Sequence, residues 1–291
     1  MSCRSCPRAC ESRSSGFCGV GNRVLVARIA PHFWEEPVIS GTRGAGTVFF
    51  SGCNMRCVFC QNREISAGLK GEAVDAAALE RHIRAMLAQG VHNVEFVTPS
   101  HYALFLADFL ETHRYEVPVV WNSSGYDSTA VLEQLRGKVH VFLPDLKYAD
   151  AALARRYGAA PDYVQTAREA LEKMYALVGD TAIGDDGLLK KGVIIRHLML
   201  PGQPENTLAV IDAVHDFAKG KKVLFSLMSQ YTPCGDLARF PELQRTISES
   251  ELESAWSYAA MLGLEGFCQD LASADTKYIP PFSDSLSDAA K

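Results

Sequence analysis

Six short apolar runs, each followed by a stretch of helical character, constrain this chain to an α/β architecture with a parallel sheet. The runs cover residues 47–50, 93–97, 117–121, 139–143, 193–198 and 222–227, and they are short and rich in Val, Ile, Leu and Phe. Runs of that kind read as strands buried on both faces. Between them, Asp75 stands where it can N-cap a helix with Leu79, Ile83, Met86 and Leu87 on one face and Gly90 as its stop. Further helices are expected over residues 101–114, 128–135, 150–157, 162–178 and 206–218. Ser248-Glu-Ser-Glu251 has the form of a capping box and opens a last helix carrying Leu252, Trp256, Ala259 and Leu262. Parallel neighbours need a crossover connection, usually a helix, so the alternation means repeated βα units. Residues 23–30 alternate well enough for one more strand. Residues 181–187 interrupt the pattern and read as a surface loop or a lid.

A chain of 291 residues has room for one large α/β domain, or one domain with a small appendage. Its hydrophobic content of 47% and charged content of 22% are those of a soluble globular protein. The net charge of −5 leaves no electrostatic footprint for nucleic acid or an anionic membrane, so neither is expected as a partner. No apolar run approaches the ~20 residues needed to span a bilayer. The first residues are rich in Cys, Arg and Ser and lack the apolar core of a signal peptide, which points to the cytoplasm.

Nine cysteines, an odd number in two tight groups, point to metal ligation in a reducing compartment and away from disulfides. Cys53, Cys57 and Cys60 follow directly on the run at 47–50, with three and then two residues between them. A loop leaving a strand end can curl so that three thiolates face one centre, and soft thiolates suit zinc, copper(I) or an iron–sulfur cluster. A closed structural site would need a fourth ligand, whereas three leave a position open for chemistry. Cys3, Cys6, Cys10 and Cys18 form the second group, with Gly16, Gly19 and Gly21 free to turn tightly around a ligand set. Four thiolates fit a closed zinc or iron–sulfur site, and the plainer alternative is an inert tail. Cys234 and Cys268 read as buried small hydrophobes, although Cys234 stands close enough to a strand end to face a site.

The C-x3-C-x2-C spacing, with aromatic Phe59 before the last cysteine, resembles the cluster loop of the radical S-adenosylmethionine (SAM) enzymes. The rival reading is a zinc knuckle or a chance group of thiols. The resemblance implies a partial (β/α)6 TIM-like barrel, with three cysteines holding a [4Fe–4S] cluster whose fourth iron is chelated by SAM. It divides the chain into a Cys-rich N-terminal extension and lead-in strand at 1–45, the barrel at 46–235 and a C-terminal helical cap at 236–291. Barrels of this type bind ligands at the C-terminal ends of their strands. The polar groups standing there are Thr98, Ser100 and His101, then Asn122, Ser123 and Ser124, then Asp145 and Lys147, then Arg196, and finally residues 229–234.

The resemblance is closest to the pyruvate formate-lyase activating enzymes and their PflX-like relatives. Asp145-Leu-Lys147 matches a family Asp-Leu-Lys whose acid and lysine contact SAM, and Arg196 through Gly202 resembles a strand whose arginine also approaches it. Lys147 and Arg196 suit the methionine carboxylate and the ribose; otherwise they pair with Asp145 or Glu95. Asn122 and Ser123 fall where the relatives place an Asp-Thr pair near SAM and a monovalent cation. The family's Gly-Gly-Glu is absent, and Thr98 and Ser100 stand in its place. The Cys-rich start, Glu35-Glu-Pro37 and Cys60-Gln-Asn62 are PflX-like. With Phe59 and Asn62, the residues Thr98, Ser100, Asn122, Ser123, Asp145, Lys147 and Arg196 make the implied cofactor-binding set. The implied activity is that of an oxidoreductase that cleaves SAM reductively to a 5′-deoxyadenosyl radical, with electrons from flavodoxin or ferredoxin. Its substrate would be a glycine of a glycyl radical enzyme, or else a peptide or small metabolite. A non-catalytic iron–sulfur or zinc protein is the reading from a different class.

Overall fold

The computed structural model of the chain describes residues 2–12, 14, 16–274, 280–283 and 285–286. Its strands are β1 Leu25–His32, β2 Ala45–Phe50, β3 Glu72–Ala73, β4 Val94–Val97, β5 Val119–Ser123, β6 Val141–Pro144, β7 Ala182–Ile183, β8 Leu189–Leu198, β9 Leu224–Met228 and β10 Gly266–Cys268. Its helices are α1 Pro37–Ser40, α2 Arg63–Ser66, α3 Ala76–Leu87, α4 Ala103–Thr112, α5 Thr129–Glu133, α6 Ala151–Gly158, α7 Tyr163–Val178, α8 Pro204–Ala218 and α9 Glu249–Met261. The sheet runs in the order β10-β9-β8-β6-β5-β4-β2-β1-β3. Every pairing from β2 to β10 along this path is parallel, and β1 is antiparallel to both β2 and β3. The lead-in strand and β10 are therefore continuous with the barrel sheet.

The expected strands and crossovers are present, with three differences. β10 adds a seventh parallel strand to the six expected. It is three residues long and pairs so closely with β9 that a Cβ on Gly266 would lie 1.8 Å from the Phe225 carbonyl oxygen. Residues 181–187 form a hairpin, because Ala182 in β7 pairs antiparallel with Lys191 in β8, and none of them lines the cavity described below. α8 begins at Pro204, two residues before the expected start, with its fixed φ at the first helical position. The cap residues act as expected: Asp75 accepts from Ala78 N–H at 2.7 Å, and both bonds of the Ser248–Glu251 capping box form.

Alternation along the parallel strands decides what lies inside the barrel. Val48, Phe50, Val94, Phe96, Trp121, Phe142, Ile195 and Leu227 point outward into the core beneath the helices. Each such side chain contributes roughly 1.5–3 kcal/mol on burial. Ala45, Val120, Val141, Leu143 and Ile194 point inward and close around Ile39 of α1. The short helix α1 thus fills the N-terminal end of the barrel. Asn93 holds it there by donating to the Ile39 carbonyl at 2.9 Å. Further along the strands the inward face turns polar, as Thr47, Glu95, Asn122, Asp145, Arg196 and Ser226. That switch sets the site at the C-terminal ends.

Candidate active site

The cysteine loop leaves β2 at a fixed point. His101 Nε2 and the Tyr102 hydroxyl both bond the Ser51 carbonyl, at 2.9 and 3.2 Å. Beyond it Gly52 turns the chain at φ +85°, and Asn54 donates to the Tyr126 carbonyl at 2.7 Å. Within the loop, Met55 N–H donates to Cys53 Sγ at 3.3 Å and the Ser66 hydroxyl to Cys60 Sγ at 3.4 Å. Burial pushes the Cys57 thiol up to about 12, against the pull of the Lys147 cation, and raises Cys60 as well. Hydrogen bonds aimed at sulfur and a nearby cation are surroundings that favour a ligated thiolate.

The three thiols open on a cavity of about 220 Å³ at the C-terminal ends of the parallel strands. Phe59, Asn62, Thr98, Asn122, Ser123, Asp145, Lys147 and Arg196 line it with them, as the sequence predicts. Ser100 does not: it is buried beside Asp127, to which it donates a hydrogen bond. Ser123 Oγ also bonds Asp127, at 2.6 Å, so its hydroxyl is already committed. Thr98 holds φ at +57°, a left-handed conformation unusual for a β-branched residue. Cys234 stands outside the cavity wall and donates to the Phe59 carbonyl at 3.2 Å.

Charge in the cavity is organised by Arg196. Its Nε donates to Asp145 at 3.0 Å, its Nη1 to Glu35 at 2.9 Å and its Nη2 to the side-chain Oδ1 of Asn122 at 2.5 Å. Lys147 donates to the second Asp145 oxygen at 2.5 Å, and Asn122 passes a bond on to Glu95 at 2.6 Å. Burial works against every charge here. It is outweighed at Asp145, whose carboxyl Lys147 and Arg196 hold below its usual range, and at Arg196, which its acidic neighbours keep firmly protonated. It prevails at Glu35 and Glu36, and most of all at Glu95, where neighbouring Glu35 adds to it and raises the carboxyl well above its usual range. Lys147 and Arg196 thus do pair with Asp145, but in a buried network at the cavity wall.

Sequence reading assigned no site role to Glu35 and Glu36, the acids from below, or to His32 and Trp34, whereas Gln230 and Tyr231 fall in the strand-end segment 229–234. Glu95 carried a usable signal, since a carboxylate between Val94 and Phe96 in a strand buried on both faces needs a partner inside. Asn62 Oδ1, Ser124 Oγ and Glu36 Oε2 are buried at the cavity without a hydrogen-bond partner among the described residues. Such atoms suit a polar ligand. Among the described residues no three Cys, His, Asp or Glu side chains are gathered to hold a single metal ion. Three soft thiols on one loop fit an iron–sulfur cluster with one iron left for another ligand.

A family model described as the Radical SAM superfamily matches residues 47–214, more than half of the chain. An uncharacterized protein of Methanocaldococcus jannaschii is 26% identical over 276 residues, which is 90% of this chain and 75% of that protein. Among solved structures, a domain of pyruvate-formate lyase-activating enzyme from Bacteroides vulgatus gives a TM-score of 0.38 at 12% identity, over 58% of this chain and 92% of that one. GH10 from Paenibacillus barcinonensis gives 0.34 at 11% identity, over 84% of this chain and 69% of that one. No helix among the described residues is long and apolar enough to cross a membrane.

Proposed function

The chain belongs to the radical SAM superfamily, and from that premise we propose that it is an enzyme cleaving SAM reductively at a cluster held by Cys53, Cys57 and Cys60. The observation that carries this reading is the meeting of those thiols with Asp145, Lys147 and Arg196 on one cavity. When bound, a [4Fe–4S] cluster supplies one low-potential electron to the SAM sulfonium, yielding methionine and a 5′-deoxyadenosyl radical that takes hydrogen from a C–H bond. The residues of this chain hold and shield. Lys147 and Arg196 present cations for the methionine carboxylate and the ribose hydroxyls, with Asp145 fixing the direction of both. Asn62 and Ser124 offer free polar atoms to the rest of the nucleoside. Glu95 holds Asn122 in place from below by accepting from its side-chain amide. The apolar side chains Met55, Phe59 and Leu198 exclude water from a reactive centre.

On its resemblance to the activating enzymes, the substrate is a glycine of a partner protein, and the electron donor is flavodoxin or ferredoxin. The four N-terminal cysteines make a second thiolate site, and nine free cysteines suit a reducing cytoplasm. The test is anaerobic reconstitution with iron and sulfide, followed by assay of 5′-deoxyadenosine from SAM under a strong reductant. Wild-type protein is expected to release it and Cys57→Ala to release none; undiminished release by Cys57→Ala overturns the assignment.

A further inference from the structure

Cys3, Cys6, Cys10 and Cys18 take no part in the cavity. All four thiols are free, Cys6 is buried, and Cys6 and Cys18 both lie near Cys3 and Cys10. The backbone is folded to gather them. Cys3 N–H donates to the Cys10 carbonyl at 2.8 Å, and Ala9 closes a turn onto the Cys6 carbonyl at 3.2 Å with its φ at 42°. Backbone N–H groups also point at the sulfurs: Phe17 at Cys10 Sγ (3.5 Å), Arg8 at Cys6 and Val20 at Cys18. A buried neutral thiol gains little from such donors, whereas hydrogen bonds to sulfur are a standard means of tuning a metal-bound thiolate.

Spacing separates the two groups that could sit there. A tetrahedral zinc with bonds of about 2.3 Å draws its four sulfurs to within about 4 Å of one another. No three ligand side chains among the described residues are gathered to hold one ion, and this is as true of the quartet as of Cys53, Cys57 and Cys60. A cubane gives each thiolate its own iron and so spreads its sulfurs wider. The quartet shares that lack of a gathered single-ion site, among the described residues, with the loop assigned above to a cluster.

The two cysteine-bearing segments are also in contact. Arg8 Nε donates at 2.7 Å to the carbonyl of Asn54, inside the catalytic loop, and its guanidinium lies 4.0 Å over the Phe17 ring. A Cβ on Gly52, the residue before Cys53, would meet Val20 Cγ1 at 2.4 Å and the Cys18 carbonyl oxygen at 3.0 Å. We propose that Cys3, Cys6, Cys10 and Cys18 hold a second [4Fe–4S] cluster, seated against the catalytic loop as a relay for single electrons. One electron enters from a low-potential protein donor and one leaves for the catalytic cluster, with no bond made or broken. The relay role rests on the function proposed above; the second cluster does not.

Iron and acid-labile sulfide in anaerobically reconstituted full-length protein separate the two ideas. Wild-type chain is expected to hold about eight of each, and a Cys53→Ala, Cys57→Ala, Cys60→Ala triple variant about four. Four in the wild type and none in the triple variant, or a single zinc in the triple variant, overturns the second cluster and leaves the catalytic one standing. Four in both proteins keeps the second cluster and removes the catalytic one. For the relay, Arg8→Ala loosens the docking without removing a thiol. It is expected to keep the full iron content and the wild-type rate with dithionite, while turnover driven by reduced flavodoxin slows several-fold. An unchanged rate with flavodoxin, or equal slowing with both reductants, overturns the relay.

Discussion

On the helical shell Arg136 meets Glu133 at 2.6 Å and Lys219 meets Asp216 at 2.7 Å, with roughly half or more of each side chain in water. Inside the barrel Arg196 meets Glu35 at 2.9 Å and Asp145 at 3.0 Å, with 10% of its side chain exposed. The distances are alike and the physics is not. A pair in water gains little, because solvent screens the attraction and two long side chains must be ordered. A buried pair gives up hydration on both sides, so it is a weak source of stability but a strong liability once either partner is lost. A fold that accepts this liability at the ends of its strands, while leaving ordinary pairs outside, concentrates its buried charge where the proposed site lies.

The sharpest way to break the comparison is Arg196→Met. It strands Asp145 and Glu35 without their cation and is expected to lower stability by about 3–5 kcal/mol in urea unfolding. A loss below about 1 kcal/mol would place this network with the surface pairs. Lys147→Ala comes next. Removing one charge-assisted bond is expected to weaken SAM binding by about 1.5–3 kcal/mol in calorimetry, with cluster iron unchanged; wild-type affinity would confine Lys147 to a structural role.

Acid sharpens the comparison further. Burial lowers His197 to about 4; its Nδ1 is set to donate to the Leu146 carbonyl, which can only accept, at 2.7 Å. The unfolded chain binds this proton below about 6.5 and the folded chain only near 4, so stability falls as pH is lowered across that window. The loss is expected to be about 1–3 kcal/mol, read as the unfolding midpoint against pH, and His197→Gln should flatten part of the slope. Asp145 acts lower still: its carboxyl is held below the usual range, so its contribution is present above that range and lost as pH falls through the folded value. At the far end, Arg136→Ala should leave the unfolding midpoint where it was. A clear shift there would show that the shell pairs matter more than solvent screening allows.

What the sequence made legible was whatever is decided locally. The short apolar runs, the Asp75 cap and the Ser248 capping box depend on neighbours within a few residues, and all are present. The cysteine loop and the polar strand ends were equally plain, because spacing and strand position suffice to place them. The inner floor was not. Pro37–Ser40 is one turn of helix with no periodicity to betray it, and nothing near Glu35 says that it will rise beneath an arginine from β8. β10 is too short to announce itself, and its pairing depends on a glycine whose use shows only against β9. Ser100 misled for the reverse reason: it stands at a strand end yet turns to Asp127 and away from the cavity.

The bond between Glu35 and Arg196 joins residues 161 apart in the chain, which bears on how the molecule is made. Contacts of long sequence separation close slowly, since the loop entropy is lost before the contact returns anything. Neither charge can go into the interior ahead of the other without a large penalty. The helices and their caps can form early, but the inner face must close in a late, concerted step that waits for β8. The thiols of the catalytic loop lie within eight residues of one another and need no such wait. The chamber that shelters the chemistry is thus the last part of the fold to arrive, and thiols that stand ready before it closes are exposed to oxidation for just that interval.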